Sequence, residues 1–518
     1  MNVWKELGAL PGTLKDPRQV SRLNSVLVYV LLIVGSLFTS YLIMERTGSH
    51  LFLMALLGIF FGTLYTVISF GNLMVPYLLF MLIVGGFKYL WSIRAPMLPD
   101  LYLDRMALVW LAVVFFVKFF AEKRRLRGPY LLDVLMFTLA LYILIDIFIH
   151  GMFPFNSWTM SYVVPFSAFF FAKNLVTTKA RIHRLLLLLL GLTIYYSITS
   201  IAEKMGFQWL IWPKYITAIA QFEGRSNGPF GHAPLFGTVL GMLLPVHFYF
   251  ITISKVRLVK WLLSLSLLMA FAGLYFTYTR GAWLAGIMAL IAAVLLNPRH
   301  FLKIMMPALV VAPILAIGFL GIGQDKFMKE RVENEDTIGS RLGTLVTALK
   351  VWRDHPIFGV GFYNYRLELD DYIEPVELPI IGTIQVAHFR HNPPHDIYIG
   401  FLSETGLVGV FLQGSIYFLI LRTFIAKFKW RKKGSYFAIY IMPIFGGIFV
   451  GYIVGGLAID YKFFSIVGAL FYSCAGIMYG YQHEESEASD VVLRGNPGDN
   501  ALNHSLPGML RQPTSQAD

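Results

Sequence analysis

The chain is 518 residues long, with 43 Lys+Arg against 30 Asp+Glu and a formal charge of +13. Only 14% of it is charged, against about 25% in an ordinary soluble domain, and 57% is hydrophobic. The apolar residues fall in blocks of about 20, the length that spans a bilayer as a helix. This excludes a disordered chain, a disulfide scaffold and a water-soluble nucleic-acid binder.

Residues 1–24 are polar and mildly basic, with Lys5, Lys15, Arg18 and Arg22, and no cleavable signal pattern precedes the first apolar block. We expect a cytoplasmic segment there and a retained first span. Roughly fourteen apolar segments follow, centred near residues 35, 60, 80, 113, 140, 166, 194, 242, 270, 289, 312, 410, 446 and 470. Short connections within 51–87 and 261–297 leave 12–14 spans. The expected fold is all-α: a transmembrane helix bundle over 25–322, a loop domain over 323–396, and further transmembrane helices over 397–481. Residues 482–518 are rich in Pro, Gly, Ser and Asn and read as a disordered cytoplasmic tail. Cys474 is the sole cysteine and sits in an apolar block, as a packed small residue would.

Orientation follows the placement of Lys and Arg in short loops. Basic loops occur at 123–127, 179–184, 255–260, 299–303 and 422–433. All five fall on one side with both termini, and that side is expected to be the cytoplasm. The loop over 88–105, with Lys88, Arg94 and Arg105, runs against this rule. The positive charge is thus mostly a topology signal, and no nucleic-acid partner is expected.

The outer face then receives the loop near 205–230, the turn at Arg280 and the hydrophilic stretch 323–396. Within that stretch, the apolar spacing over 340–352 predicts a helix ended by Asp354-His355-Pro356. Gly359-Val360-Gly361 gives a turn, an acidic irregular piece follows, and Arg390-His391-Asn392-Pro393-Pro394-His395-Asp396 leads into the next span.

Arginine near hydrocarbon is expensive and marks a task. Arg225, Arg280 and Arg341 all arrive on the outer face. A guanidinium offers five donors in a fixed fork that matches phosphate oxygens, so these three are candidate diphosphate ligands. Taken singly, each reads sooner as an interfacial arginine snorkelling to lipid head groups, and it is the arrival of three on one face that favours function. His395, at the membrane boundary, is the candidate general base. His388 and His391 give spacings that suit a zinc site on a helix, but Pro393 and Pro394 interrupt it, and no metal is expected. Asp396 either orients His395 or caps the following helix. Glu404, two turns further on, lines a cavity or bonds within the bundle. Asp133, Asp146, Glu404 and Asp460 lie in or near apolar blocks, and a proton relay of a transporter is the alternative they raise.

Four segments resemble the O-antigen ligase and polymerase superfamily. His395-Asp396-Ile397-Tyr398-Ile399 with Glu404-Thr405-Gly406-Leu407-Val408-Gly409 resembles its re-entry motif. Ser340-Arg341 and Asp354-His355-Pro356-Ile357-Phe358-Gly359-Val360-Gly361 resemble the start of its large periplasmic loop. Thr279-Arg280-Gly281-Ala282 and Arg225 with Gly228-Pro229-Phe230 resemble its two arginine turns. Asp396 stands where the family usually has Asn, and Pro393-Pro394 is an insertion.

The resemblance implies a metal-independent glycosyltransferase without cofactors in the bacterial inner membrane. Its donor would be a glycan on undecaprenyl diphosphate, held by Arg225 and Arg280, with Arg341 steadying the loop or the donor. His395 would activate or position the acceptor hydroxyl on the periplasmic face, with Asp396, Glu404 and His391 in support. The first reading is a ligase with a lipid A-core type of acceptor. A polymerase extending the lipid-linked chain is the alternative, and a flippase for lipid-linked sugars is the reading from another class.

Overall fold

The computed structural model describes residues 50–93, 100–123, 125–150, 154–306, 336–372, 376–378, 382–384, 396–430 and 435–481. The expected segments 1–24 and 482–518, the apolar blocks centred at 35 and 312, and the histidines at 388, 391 and 395 lie outside the described residues. The other twelve apolar blocks each coincide with a helix.

These helices are α1 His50–Gly71, α2 Met74–Val84, α3 Leu103–Ala121, α4 Leu131–Ile149, α5 Val164–Leu175, α6 Lys179–Met205, α7 Ala233–Ile253, α8 Arg257–Tyr275 and α9 Arg280–Leu296. The more polar helix α10, Asp336–Asp354, follows. The last three are α11 Ile397–Phe428, α12 Met442–Gly456 and α13 Ser465–Gly480. The chain is an all-α, multi-pass membrane protein. Among the described residues, α4, α6, α7, α8, α11 and the segment Phe437–Gly456 are long and apolar enough to cross a bilayer unaided. At 17 and 16 residues, α9 and α13 are apolar but shorter than a full span. Among the described residues, strand structure is limited to two small antiparallel pairs, β1 Ser92–Ile93 with β2 Leu101–Tyr102, and β3 Val376–Leu378 with β4 Gly382–Ile384.

The chain divides into two compact units, the smaller comprising 1–77 and 110–124 and the larger 78–109 and 125–518. In the smaller unit, the Lys118 ammonium donates to the Phe70 carbonyl and pairs with Glu122, and Trp110 donates to Ser69.

The larger unit is organised around α7, which is almost wholly buried and packs against α6, α8, α9 and α12. Small residues permit this density. A Cβ on Gly241 would lie 2.8 Å from Gly286 Cα, and one on Gly237 would meet the Ala282 methyl at 2.7 Å. Without a hydrophobic drive between helices in lipid, close backbone approach of this kind is the main source of packing energy. The other side of the bundle pairs α5 with α13 and α4 with α11. Toward the outside, α8 exposes Leu258, Trp261, Leu262 and Leu265, an i, i+3, i+4, i+7 stripe suited to lipid.

The helix predicted over 340–352 is α10, ending at Asp354 as Pro356 requires. It packs on α11, so α10 rests on the bundle rather than standing clear of it.

Candidate functional site

Arg225 sits in a loop built to hold its shape. The Asn227 side chain accepts from the Phe222 amide at 3.1 Å and donates to the Phe222 and Arg225 carbonyls at 2.7 and 2.8 Å. The Glu203 carboxylate, at the end of α6, accepts from the amides of Asn227 (3.4 Å) and Gly228 (2.9 Å). Ser226 donates through its hydroxyl to Ser200 and through its amide to Phe276. The loop is thereby fastened to both α6 and the end of α8.

The guanidinium of Arg225 stacks over Phe222 at 4.6 Å. Its Nε donates to the Thr277 carbonyl at 2.9 Å, and one Nη donates to the Thr279 hydroxyl. Thr277-Tyr278-Thr279 is the turn that delivers Arg280 as the first residue of α9. Arg225 therefore braces the turn that carries Arg280. Arg280 itself is exposed, and no hydrogen bond or ion pair of its side chain is found among the described residues. Trp283 stacks on Tyr275 with centroids 5.6 Å apart and donates to the Leu274 carbonyl, which holds the start of α9 against the end of α8.

Arg341 lies on the first turns of α10 and is half-buried. Burial pushes its pKa below the usual arginine range, and the positive charge of Arg280 pushes it the same way. Arg280 and Arg341 thus lie within each other's field, with no carboxylate pairing either among the described residues. Like charges that act on one another repel, and a bound phosphate between them would turn that repulsion into attraction.

Asp396 is the N-cap of α11, its Oδ1 accepting from the amides of Tyr398 (2.8 Å) and Ile399 (3.0 Å). This is the capping role open to it in the sequence. His391 and His395 precede it outside the described residues.

Glu404 is buried and bonds within the bundle. The Lys462 ammonium lies 2.6 Å from its Oε1 and 3.1 Å from Asp460 Oδ2, and the backbone amide of Lys462 donates to Asp460 Oδ1 at 3.1 Å. Burial pulls the Lys462 pKa down, the carboxylates of Asp460 and Glu404 pull it up, and the carboxylates prevail. Two residues after Glu404, α11 is broken at Gly406, with φ 60° and ψ −162°.

The segment Pro356–Gly361 inserts at this break. The Val360 and Gly361 amides donate to the Ser403 (3.1 Å) and Glu404 (2.9 Å) carbonyls, while the Leu407 and Val408 amides donate back to Pro356 (2.9 Å) and Ile357 (3.1 Å). From α4, Tyr142 donates to the Thr405 carbonyl at 3.0 Å and Asp146 accepts from the Phe362 amide at 2.5 Å. Two motifs separated by some 40 residues are thus one backbone junction.

The four acids in or near the apolar blocks do not form one relay. Asp133 pairs with Lys173, Asp146 with Phe362 and His150, and only Glu404 and Asp460 share a partner. Of the cations in the 88–105 loop, Arg105 is buried and donates to the Asn156 side chain at 2.7 Å and to the Asp100 carbonyl, a structural use that takes it out of the topology count. Sequence reasoning missed Glu203, Tyr142 and Lys462. The motif Asp460-Tyr461-Lys462 between two apolar blocks was the available signal for the last.

Residues 265–414 match the family model described as O-antigen ligase. The match includes Arg280, Arg341, Asp396 and Glu404 and leaves Arg225 outside it. No curated protein matches the chain.

Proposed function

We propose that this chain, a member of the O-antigen ligase superfamily, moves a glycan from undecaprenyl diphosphate to an acceptor hydroxyl of lipid A-core or a similar lipid-anchored sugar. The reaction takes place on the periplasmic face of the bacterial inner membrane. The observation that carries this reading is the pairing of Arg280 and Arg341 in one field, with Arg225 bracing the turn beneath Arg280.

In this reading the acceptor oxygen bonds to the anomeric carbon while the bond from that carbon to the diphosphate oxygen breaks. The electron pair leaves on the diphosphate, and the hydroxyl proton passes to His395. The guanidinium groups stabilise the departing charge, and such preorganised donors are worth about 3–4 kcal/mol each. Guanidinium charge takes the place that a divalent cation fills elsewhere, so the transfer is metal-independent. The five basic loops support a cytoplasmic location for the opposite ends of these helices.

Purified protein supplied with a lipid-linked donor and a lipid A-core acceptor tests this reading. Glycosylated acceptor and free undecaprenyl diphosphate should form together and persist in EDTA. Arg280→Ala should lower kcat/KM about 100-fold or more. Elongation of the donor chain with an untouched acceptor would make the protein a polymerase, and movement of donor across the bilayer without bond formation would make it a flippase.

A further inference from the structure

Beside the start of α11 lies a cavity of about 210 Å³ that none of the three arginines lines. Six of its seventeen wall residues are tyrosines, and five of these have their hydroxyls engaged. Tyr398 donates to the Ile453 carbonyl, Tyr461 to the Tyr452 carbonyl, Tyr417 and Tyr452 bond to each other at 3.2 Å, and Tyr472 accepts from Gln413. Of the polar groups on the wall, the Lys462 ammonium is held by Glu404 and Asp460, Ser161 donates to the Lys462 carbonyl and Gln413 to Tyr472, so most of what faces the space is ring and aliphatic carbon, a lining that suits a hydrocarbon chain.

One wall residue is Met160, and its sulfur lies 3.8 Å from the ammonium of Lys88. Lys88 is 5% exposed. Its other contact is the face of Tyr89, 4.6 Å from the ring centroid. No carboxylate pairs with it among the described residues. A thioether and a ring face are poor replacements for water around an ammonium, and a buried cation of this kind calls for an anion. Methionine is unbranched and flexible, so Met160 is the wall element best able to move aside. The loop that carries Lys88 also packs on the loop that carries Arg225. A Cβ on Gly86 would lie 3.1 Å from the Pro229 ring, and Tyr215 donates to the Gly86 carbonyl.

We propose that the tyrosine-walled cavity and Lys88 form a second lipid site, which takes one hydrocarbon chain and the phosphate of an anionic lipid. Given the transfer reading above, on which this rests, that lipid is the acceptor, and the arginines hold the donor. The placement sets the acceptor lipid on the α5, α11 and α13 side of the site, with its head group near the turns that bear the arginines.

Two measurements test this. In native mass spectrometry from neutral detergent, wild-type protein should retain dioleoyl phosphatidic acid in preference to dioleoyl phosphatidylcholine. Lys88→Met should abolish the preference and Lys88→Arg should keep it. Inorganic phosphate alone should not compete, because the chain is half of the recognition. In the transfer assay, Lys88→Met should raise the acceptor KM about tenfold and leave the donor KM unchanged. Gly414→Leu provides an independent variant: Gly414 lines the cavity, and a Cβ there meets nothing within 4 Å. It should raise the acceptor KM without loss of fold.

Equal retention of both lipids, or an acceptor KM insensitive to both variants, overturns the proposal. So does a donor KM that rises with the acceptor KM, since the cavity would then belong to the donor. If Arg280→Ala leaves transfer intact while Lys88→Met still releases phosphatidic acid, the transfer reading fails and the lipid site stands.

Discussion

Arg225 and Arg280 look alike in the sequence, and the structure gives them different work. Arg225 spends its donors on Thr277 and Thr279, whereas the Arg280 side chain has no such partner among the described residues. In the transfer reading, Arg225 therefore acts on the donor largely through the turn it braces, and Glu203 acts on Arg225 through the Asn227 and Gly228 amides. Glu203→Gln keeps the shape but weakens two charge-assisted hydrogen bonds to ordinary ones, a loss of about 1–2 kcal/mol. We expect a rise of about three- to tenfold in donor KM with kcat nearly unchanged, measured in the transfer assay. Arg280→Ala should instead depress kcat, because in that reading Arg280 faces the departing charge itself. A Glu203→Gln enzyme with normal donor KM would show that the loop holds its form without that carboxylate.

At the scale of elements, the buried Glu404–Lys462–Asp460 group joins α11 to the segment between α12 and α13. Removing one partner of a buried ion pair costs about 3–5 kcal/mol, because the other charge is left without compensation. Lys462→Met should lower the melting temperature sharply in detergent, and Glu404→Gln added to it should recover much of the loss. A non-additive cycle of this sign is the expected result, and simple additivity would mean that the two side chains do not act together. The pH dependence has a definite sign. The folded pKa of Lys462 is raised, so its contribution is fully present below the ordinary lysine value of about 10.4 and is lost only as pH rises through the folded value. The melting difference between wild type and Lys462→Met should therefore hold constant through neutral pH and shrink only in strong alkali.

The elements were far more readable in the sequence than their junctions. Twelve apolar blocks became helices because block length and hydropathy are local properties, and α10 was readable because its apolar spacing and the Asp354-His355-Pro356 stop are local too. Asp396 was readable as a cap for the same reason. The Glu404–Lys462 pair was not, since 58 residues separate its members. Nor could the sequence show that Lys88 and Arg105, which seemed to contradict the positive-inside pattern, are buried cations with contacts of their own.

At the scale of the larger unit, the junction at the α11 break ties α4, the hydrophilic segment and the re-entering helix together, and the tie rests on two glycines. Gly359 has φ +74° and Gly406 φ +60°, a region that costs a residue with a Cβ about 1–2 kcal/mol. Space is the larger constraint. A Cβ on Gly359 would collide with the Glu404 carbonyl, and one on Gly406 with the Ile357 carbonyl, both of them backbone that cannot swing away. Gly359→Ala must therefore push Pro356–Gly361 out of the break and forfeit some of the four backbone hydrogen bonds, a combined cost of roughly 3 kcal/mol or more. We expect a lowered melting temperature, faster amide exchange at Val360 and Gly361, and loss of transfer, because Arg341 on α10 and Asp396 on α11 are positioned from either side of this junction. Gly191→Ala is the matched control. It lies within α6, a Cβ there meets nothing within 4 Å, and alanine in a helix interior should be neutral or stabilising by about 0.5–1 kcal/mol. Unchanged melting and exchange in Gly359→Ala would mean that the segment is not seated in the break, and the link from Arg341 through α10 to the start of α11 would fall with it.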